Sequence, residues 1–379
     1  MTQQRTPITQ PTKITHHSLT ISSVQELTTD AICVSFEVPE ELHDEYDFLP
    51  GQYLTLIDTI DGKELRRSYS ICAEKHDKQL RVAIKRVGGG LFSNHANDNF
   101  KPGYTLKVMQ PQGNFYLNSP TPDTLYKAKN YMCLAVGSGI TPILSIIKSA
   151  LKNEPECKVT LIYGNRNTAS MLFREELSFL KNAYLDRFQW INIMSKEDQG
   201  SDLFKGHIDN KKGFLLQKKQ LINIADTDAA FICGPESMMS EVSRGFRIEG
   251  LKDEKIHYEL FASSSEDAQL SIDKAKQRIG KYGEEKTSKV TLIADGRSAE
   301  FDLATVGENI LDAGMHQGME LPYSCKAGVC STCKAKLISG QVEMDIVHGL
   351  EPHEIAADLI LTCQAHPISD EVVIDFDQR

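Results

Sequence analysis

Four cysteines near the C-terminus have the spacing best suited to chemistry. Cys325, Cys330 and Cys333 form C-x4-C-x2-C, and Cys363 follows thirty residues later. One loop that supplies three thiolates, closed by a remote fourth, is the plant-type [2Fe–2S] arrangement. Gly328 inside the loop allows close backbone approach, and neighbouring amides can donate to the anionic sulfurs. A structural zinc site is the competing use of four thiolates, but zinc sites pair two short C-x2–4-C or His units. The pattern here is three plus one. Cys33, Cys72, Cys133 and Cys157 lie in or beside apolar runs, as small core residues would. Cys233 ends an apolar run and precedes Gly234-Pro235, at the edge where α/β sheets bind ligands, with core packing as its other reading.

A second group of residues suits phosphate and heterocycle binding. Gly137-Ser-Gly139-Ile-Thr141-Pro142 joins an apolar run to an apolar helical stretch over 143–151. Two glycines permit a tight turn and close approach of a pyrophosphate to a helix N-terminus, and Pro142 suits a first helical turn. The third glycine of the G-x-G-x-x-G fingerprint is missing, so an ordinary strand–helix turn remains the alternative. Asn165 and Arg166 close the next run, where the ribose of a dinucleotide would lie. An acid there would bond a free 2′-hydroxyl, whereas Arg166, with Arg174 following, accommodates a 2′-phosphate. Earlier in the chain stand Arg67-Ser-Tyr69-Ser70 and then Lys85, Gly89-Gly90 and Ser93. A guanidinium pairs phosphate, a tyrosine ring stacks on a planar heterocycle, and glycine amides cradle a pyrophosphate.

Those residues must be positioned by more than one core. A chain of 379 residues has room for two or three. Residues 18–118 read as short β-branched strands with Pro50-Gly51, Asp61-Gly62 and Pro102-Gly103 turns between them, which predicts an antiparallel barrel or sandwich. Over 119–262 strand and helix alternate, predicting a parallel sheet with covered faces. A helix is expected over 171–181, with Thr168 or Ser170 as its cap. Residues 1–17 read as a flexible N-terminus, and 263–288 as a polar linker without apolar periodicity. The last part, 289–379, has 6 Lys and Arg against 15 Asp and Glu, so it holds nearly all of the net charge of −10.

These properties exclude several classes. Nucleic-acid binding expects a basic domain, which is absent. The first residues lack the apolar core of a signal peptide, and the longest apolar run is broken by Gly137, Gly139 and Pro142, so no spanning helix is expected. Nine cysteines, an odd number, fit a reducing compartment and a cytoplasmic protein.

With these motifs the chain resembles the ferredoxin–NADP reductase superfamily, in the form that carries a C-terminal plant-type ferredoxin domain. The resemblance implies a flavin β-barrel at 18–118, a nicotinamide-nucleotide α/β domain at 119–262 and an α+β ferredoxin domain at 289–379. It implies that Arg67 holds the FAD pyrophosphate, Tyr69 packs on the isoalloxazine and Ser70 approaches its N5. Gly89, Gly90 and Ser93 are similar to the second phosphate turn, and Gly137, Gly139, Thr141 and Pro142 to the nicotinamide-dinucleotide loop. Cys233-Gly234-Pro235 resembles the segment beside the nicotinamide, and Glu259 and Phe261 the closing residues near the flavin. The stretches Glu64-Leu-Arg-Arg-Ser-Tyr-Ser and Leu361-Thr-Cys-Gln-Ala look like the branch that serves phenylacetyl-CoA epoxidases. Gly88 and Leu260 depart from the family pattern, which has an acidic and a basic residue there.

The implied activity is a relay. A nicotinamide gives two electrons together as hydride and a [2Fe–2S] cluster takes one, so a flavin must stand between them. NADPH is the expected donor, and a diiron oxygenase in phenylacetate degradation the expected acceptor. Delivery to a Rieske or other multicomponent monooxygenase, or a non-catalytic redox sensor, are the alternatives.

Overall fold

The computed structural model describes residues 15–77, 79–261, 265–283 and 286–378. Residues 1–14, most of the expected flexible N-terminus, lie outside them. The chain divides into two compact units, His17–Phe261 and the residues beyond.

In the first unit, β-branched runs form β1 (His16–Thr28), β2 (Ala31–Glu37), β3 (Tyr53–Ile60), β4 (Lys63–Ser70), β5 (Leu80–Lys85) and β6 (Thr105–Met109), in the order β4-β3-β6-β1-β2-β5. The β1–β2, β2–β5, β3–β4 and β3–β6 pairings are antiparallel. A bridge between Ile71 and Val82 ties the β4 end to β5, which curls the sheet into the expected barrel. Alternate residues point inward, and Val34, Leu54, Leu56, Val82 and Val108 fill the interior. Asp61 and Gly62, at φ 52° and 74°, make the tight hairpin between β3 and β4. Helix α1 (Leu91–Asn99) buries Phe92 and Ala96 against this barrel.

The same unit continues with β7 (Asn130–Val136), helix α2 (Ile140–Asn153), β8 (Lys158–Asn165), α3 (Arg174–Ala183) and β9 (Phe188–Met194). It is completed by α4 (Asn210–Lys218), β10 (Ala229–Cys233), α5 (Glu236–Ile248) and β11 (Ile256–Glu259). The sheet is parallel throughout, in the order β11-β10-β7-β8-β9. Strand order reverses between β7 and β10, so the loops after these two strands face a shared crevice. Helix α2 opens at Ile140, directly from the glycine turn and ahead of the expected 143–151 stretch. Helix α3 opens later than expected. Neither Thr168 nor Ser170 caps it, and Phe173 at its N-terminus supplies no side-chain cap; Asn167 instead caps the turn ahead of it, where its side chain accepts from the Ser170 amide at 3.0 Å and its own N–H donates to Ser170 Oγ at 3.2 Å. That box closes one tight turn at Thr168–Ser170, and Phe173 at φ 58° redirects the chain before the helix starts at Arg174.

Barrel and parallel sheet share one buried core that includes Cys33, Cys72, Cys133, Cys157, Phe115, Ile143 and Ile147. Polar clamps surround it. Ser145 Oγ donates to the Ala73 carbonyl at 2.6 Å, Lys148 reaches Asp77 and Glu176 at 3.0 and 2.8 Å, and Arg81 pairs with Glu176.

The second unit begins with a departure from expectation. Of the residues expected to act as a linker, 263, 264, 284 and 285 lie outside the described ones, but Ser265–Tyr282 is a helix, α6. Its polar composition conceals a buried ion pair, because Arg278 is 1 % exposed and donates to Asp345 Oδ1 at 2.6 Å. Lys274 adds bonds to the Met344 and Asp345 carbonyls at 2.8 and 2.7 Å. The rest of the unit is β12 (Thr287–Ala294), β13 (Arg297–Ala304), α7 (Ile310–His316), β14 (Lys334–Ser339), β15 (Val342–Met344), α8 (Pro352–Ala356), β16 (Leu359–Leu361), β17 (Ala365–Pro367) and β18 (Glu371–Asp375). Its main sheet runs β13-β12-β18-β14-β16, with β15 and β17 as a separate ribbon. Val290, Leu292, Ile310, Ala335, Leu361, Val372 and Ile374 form its core. Among the described residues no helix is long and apolar enough to cross a membrane.

Candidate functional site

The four late cysteines converge. The loop of 325–333 carries three of them, and Cys363 follows β16, which pairs with β14 immediately after Cys333. The Thr362 hydroxyl and amide both bond the Cys333 carbonyl, at 2.9 and 3.2 Å, and so pin the fourth thiol beside the third. The Cys325 and Cys330 thiols are near enough to influence one another, as are those of Cys333 and Cys363. Amides aim at the sulfurs: Ala327 and Cys330 N–H donate to Cys325 Sγ at 3.3 and 3.4 Å, and Cys325 N–H donates to Cys330 Sγ at 3.5 Å. The Cys330 thiol and these amides hold the Cys325 thiol down at about 6, against the opposing effect of burial. Gly328 has φ 71°, and a Cβ there would lie 2.8 Å from the Ile346 side chain. A thiolate cage lined with amide donors suits an anionic iron–sulfur cluster.

In the first unit, chain segments far apart in sequence meet at one crevice. Ser70 ends β4, and its hydroxyl donates to Glu259 Oε2, at the end of β11, at 3.3 Å. Glu259 stands in register with Cys233, the last residue of β10. A Cβ on Gly139 would lie 2.2 Å from the Cys233 carbonyl oxygen, so only glycine lets the turn after β7 back onto the β10 end. Burial lifts the Glu259 carboxyl to about 8 although the Ser70 bond opposes it. Burial, and then the neighbouring Glu259 charge, push the wholly buried Cys233 thiol well above its ordinary value, so it stands as a neutral thiol. Gly234 packs where a Cβ would come 2.6 Å from Met238, and Pro235 precedes α5.

The flavin-motif residues lie on the same edge of the barrel. Arg67 and Tyr69 alternate on β4 and so share a face. Arg67 is exposed and donates to the Arg66 carbonyl at 2.7 Å; the Tyr69 ring lies 5.9 Å from that of Phe92. Burial pushes the Tyr69 phenol up. Gly89, at φ 73°, and Gly90 lead into α1, whose first turn has no side-chain cap. Ser93 Oγ accepts from the Val87 amide at 3.1 Å, which folds the turn. The first turn of α2 likewise lacks a side-chain cap, and Thr141 Oγ1 donates to the Ser138 carbonyl at 3.0 Å. Pro142 is buried in that turn, where its missing N–H costs nothing. Uncapped amides beside open glycine turns fit two anionic groups.

The nucleotide-ribose residues form a third cluster. Asn165 is buried, and its Nδ2 finds no partner among the described residues. Arg166 and Arg174 are exposed. Lys85, expected with the phosphate turns, lies 3.5 Å from Asp30, whose carboxyl is also held down by the Arg166 charge. Lys85 therefore groups with Arg166. Phe261 is left exposed two residues past Glu259.

Three residues escaped the motif reading. Beyond β9 the Ser195 amide bonds the Asn165 carbonyl at 2.9 Å and the Lys196 amide bonds the Arg166 carbonyl at 2.8 Å. That extended pairing sets Lys196 and Glu197 beside Arg166 and Thr168. Tyr163 is the other omission: its hydroxyl donates to the Gly137 carbonyl at 3.1 Å and accepts from the Leu172 amide at 3.2 Å, bracing the glycine turn. The sequence signal was faint, a basic residue just past a strand and a tyrosine near a strand end.

Family models match an oxidoreductase FAD-binding domain at residues 18–116, an oxidoreductase NAD-binding domain at 133–244 and a 2Fe-2S iron-sulfur cluster binding domain at 292–367. The chain is 43 % identical to one of the subunits of the Escherichia coli 1,2-phenylacetyl-CoA epoxidase, over 96 % of this chain and 99 % of that one. It is 33 % identical to the ferredoxin reductase component of 3-ketosteroid-9-alpha-monooxygenase from Rhodococcus rhodochrous, over 94 % and 96 % of the two chains. The solved phthalate dioxygenase reductase shares the fold, with a TM-score of 0.58 at 22 % identity over 95 % of this chain and 98 % of that one. The chain belongs to the ferredoxin–NADP reductase superfamily, among the FAD- and [2Fe–2S]-carrying reductase components of multicomponent oxygenases.

Proposed function

We propose that the chain draws electron pairs from NADPH and delivers them singly to a diiron oxygenase component that epoxidises phenylacetyl-CoA. The full-length 43 % identity to a component of the Escherichia coli epoxidase carries this reading. When bound, FAD exchanges electrons in pairs with a nicotinamide and singly with a [2Fe–2S] cluster. Arg67, Gly89, Gly90 and Ser93 hold the flavin pyrophosphate, and Tyr69 lies along its ring. Gly137, Gly139, Thr141 and Pro142 shape the coenzyme turn, with Gly234 and Pro235 across the crevice from it. Asn165, Arg166, Arg174 and Lys85 attend the adenosine end, where the guanidinium of Arg166 pairs a 2′-phosphate. Ser70, Cys233 and Glu259 line the place where hydride passes. Glu259, with its carboxyl lifted to about 8, keeps its proton at neutral pH, so this lining carries no net charge beside the reacting rings. Phe261 helps to keep water out. Cys325, Cys330, Cys333 and Cys363 ligate the cluster.

The test mixes the purified holoprotein with candidate oxygenase components. NADPH-dependent loss of phenylacetyl-CoA with the diiron component is the expected result. Support of only a different oxygenase would overturn the assigned acceptor.

A further inference from the structure

The short segment 345–350 lies against the cysteine loop and is fastened to it at several points. The Asp345 amide donates at 3.0 Å to the carbonyl of Gln364, the neighbour of Cys363, while Arg278 holds the Asp345 carboxylate. Ile346 packs on Gly328, where a Cβ would come within 2.8 Å of its side chain. The Leu350 amide then bonds the Val347 carbonyl at 3.0 Å, which makes His348 and Gly349 the crest of a tight turn. Gly349 fits that crest to the loop. Its amide donates to the Gly328 carbonyl at 2.8 Å, and a Cβ on it would lie 2.7 Å from the Cys330 carbonyl oxygen. His348 ties the same crest to helix α6, its Nε2 donating at 3.0 Å to Oδ1 of Asp267 in the first turn. The acceptor is buried and the imidazole is partly exposed.

We infer that His348 is a positioning residue for the iron–sulfur site. Its bond to Asp267 keeps this strap seated on the cysteine loop, and so keeps the loop amides aimed at the sulfurs. The inference rests on Cys325, Cys330, Cys333 and Cys363 as the ligands of the cluster. The Ala327 and Cys330 amides reach Cys325 Sγ at 3.3 and 3.4 Å only while the backbone between them keeps its turn. Gly328 and Cys330 belong to that turn, and they are the two residues on which the strap rests. Amide–sulfur bonds strengthen as the sulfurs gain charge, so they favour the reduced, more negative cluster. A crest held by Gly349 alone would open more often and release Gly328 with it. The second hold ends on a buried carboxylate, and a bond to a charged acceptor is stronger than a neutral one. Helix α6 thus gives one strap three holds, Lys274 and Arg278 at its start and Asp267 at its crest.

The experiment uses the full-length holoprotein and its His348→Ala, His348→Gln and Asp267→Ala variants. Three quantities are read. They are the midpoint potential of the cluster by redox titration, the rate at which its visible absorption bleaches in excess EDTA, and deuterium uptake by the peptide spanning 325–333. His348→Ala should bleach about five- to tenfold faster, the scale of one charge-assisted bond removed from a local opening. Its potential should fall and its deuterium uptake rise. Asp267→Ala should match it, and the double variant should add little, because both changes remove one contact. His348→Gln keeps a donor at similar reach and should restore the wild-type values. A lower melting temperature with an unshifted potential would show a merely structural tie and overturn the inference. A potential that rises would also overturn it, because water reaching the sulfurs would then govern the site. Retention of the cluster signal in Cys333→Ser would instead remove the ligand assignment beneath the inference.

Discussion

Replacing Glu259 by Gln should alter how stability depends on pH. The carboxyl has an ordinary value of 4.5 and is lifted to about 8 by burial. Between those values the unfolded chain has released the proton while the folded chain retains it. Wild-type stability therefore falls as pH rises from about 5 to 8 and levels off above the folded value. A shift of this size is worth up to about 4–5 kcal/mol at roughly 1.4 kcal/mol per pH unit. Partial exposure of the residue reduces that, and about 2–3 kcal/mol is a realistic scale. The substituted amide cannot ionise and keeps a Ser70 contact, so the variant escapes the penalty. The assay is thermal release of flavin fluorescence from both proteins between pH 5 and 9, because it reports the flavin-holding unit alone. The variant should gain on the wild type steadily up to about pH 8. A difference that stays constant across the range would refute the burial argument.

Other perturbations test other parts of the molecule. Arg278→Met leaves Asp345 buried without its guanidinium and should cost about 3–5 kcal/mol in the C-terminal unit, read as a lower temperature for bleaching of the cluster's visible absorption. Gly139→Ala forces a methyl to within 2.2 Å of the Cys233 carbonyl. The backbone must yield, so the coenzyme KM should rise several-fold and stability fall by about 1–3 kcal/mol. Cys333→Ser should abolish the cluster's broad absorption and electron delivery to the oxygenase, while the flavin spectrum persists because its residues lie in the other unit.

Local spacing carried much of this architecture. Cys325, Cys330 and Cys333 are close in sequence because one loop must wrap a small object, and the distant Cys363 had only to reach it. Strand–helix alternation revealed the parallel sheet because its inner strands β7, β8 and β10 are buried on both faces and so read as continuous apolar runs. Contacts that depend on long-range register were not readable. Ser70 and Glu259 are far apart in the chain, and only the family resemblance put both near the flavin. Lys196 and Glu197 reach Arg166 and Thr168 through parallel pairing of β8 with β9, which no local pattern encodes. Lys85 reads as a phosphate ligand from its neighbours, and its 3.5 Å approach to Asp30, in the turn before β2, is a further contact that local spacing does not show. Helix α6 was hidden for a different reason. Its stabilising contact is a guanidinium in place of an apolar stripe, so hydropathy reports a tether where the fold has a strut.

That strut matters to anyone who dissects the chain. Asp345 lies between Arg278 and His366, whose Nε2 is 3.4 Å from its carboxylate. An excised fragment beginning at Thr287 would keep the acid and the imidazole but lose their principal cation. One beginning at Ser265 would keep all three. The longer piece should be the one that expresses as a brown, monodisperse electron carrier, and the usable seam for cutting or grafting lies ahead of the helix.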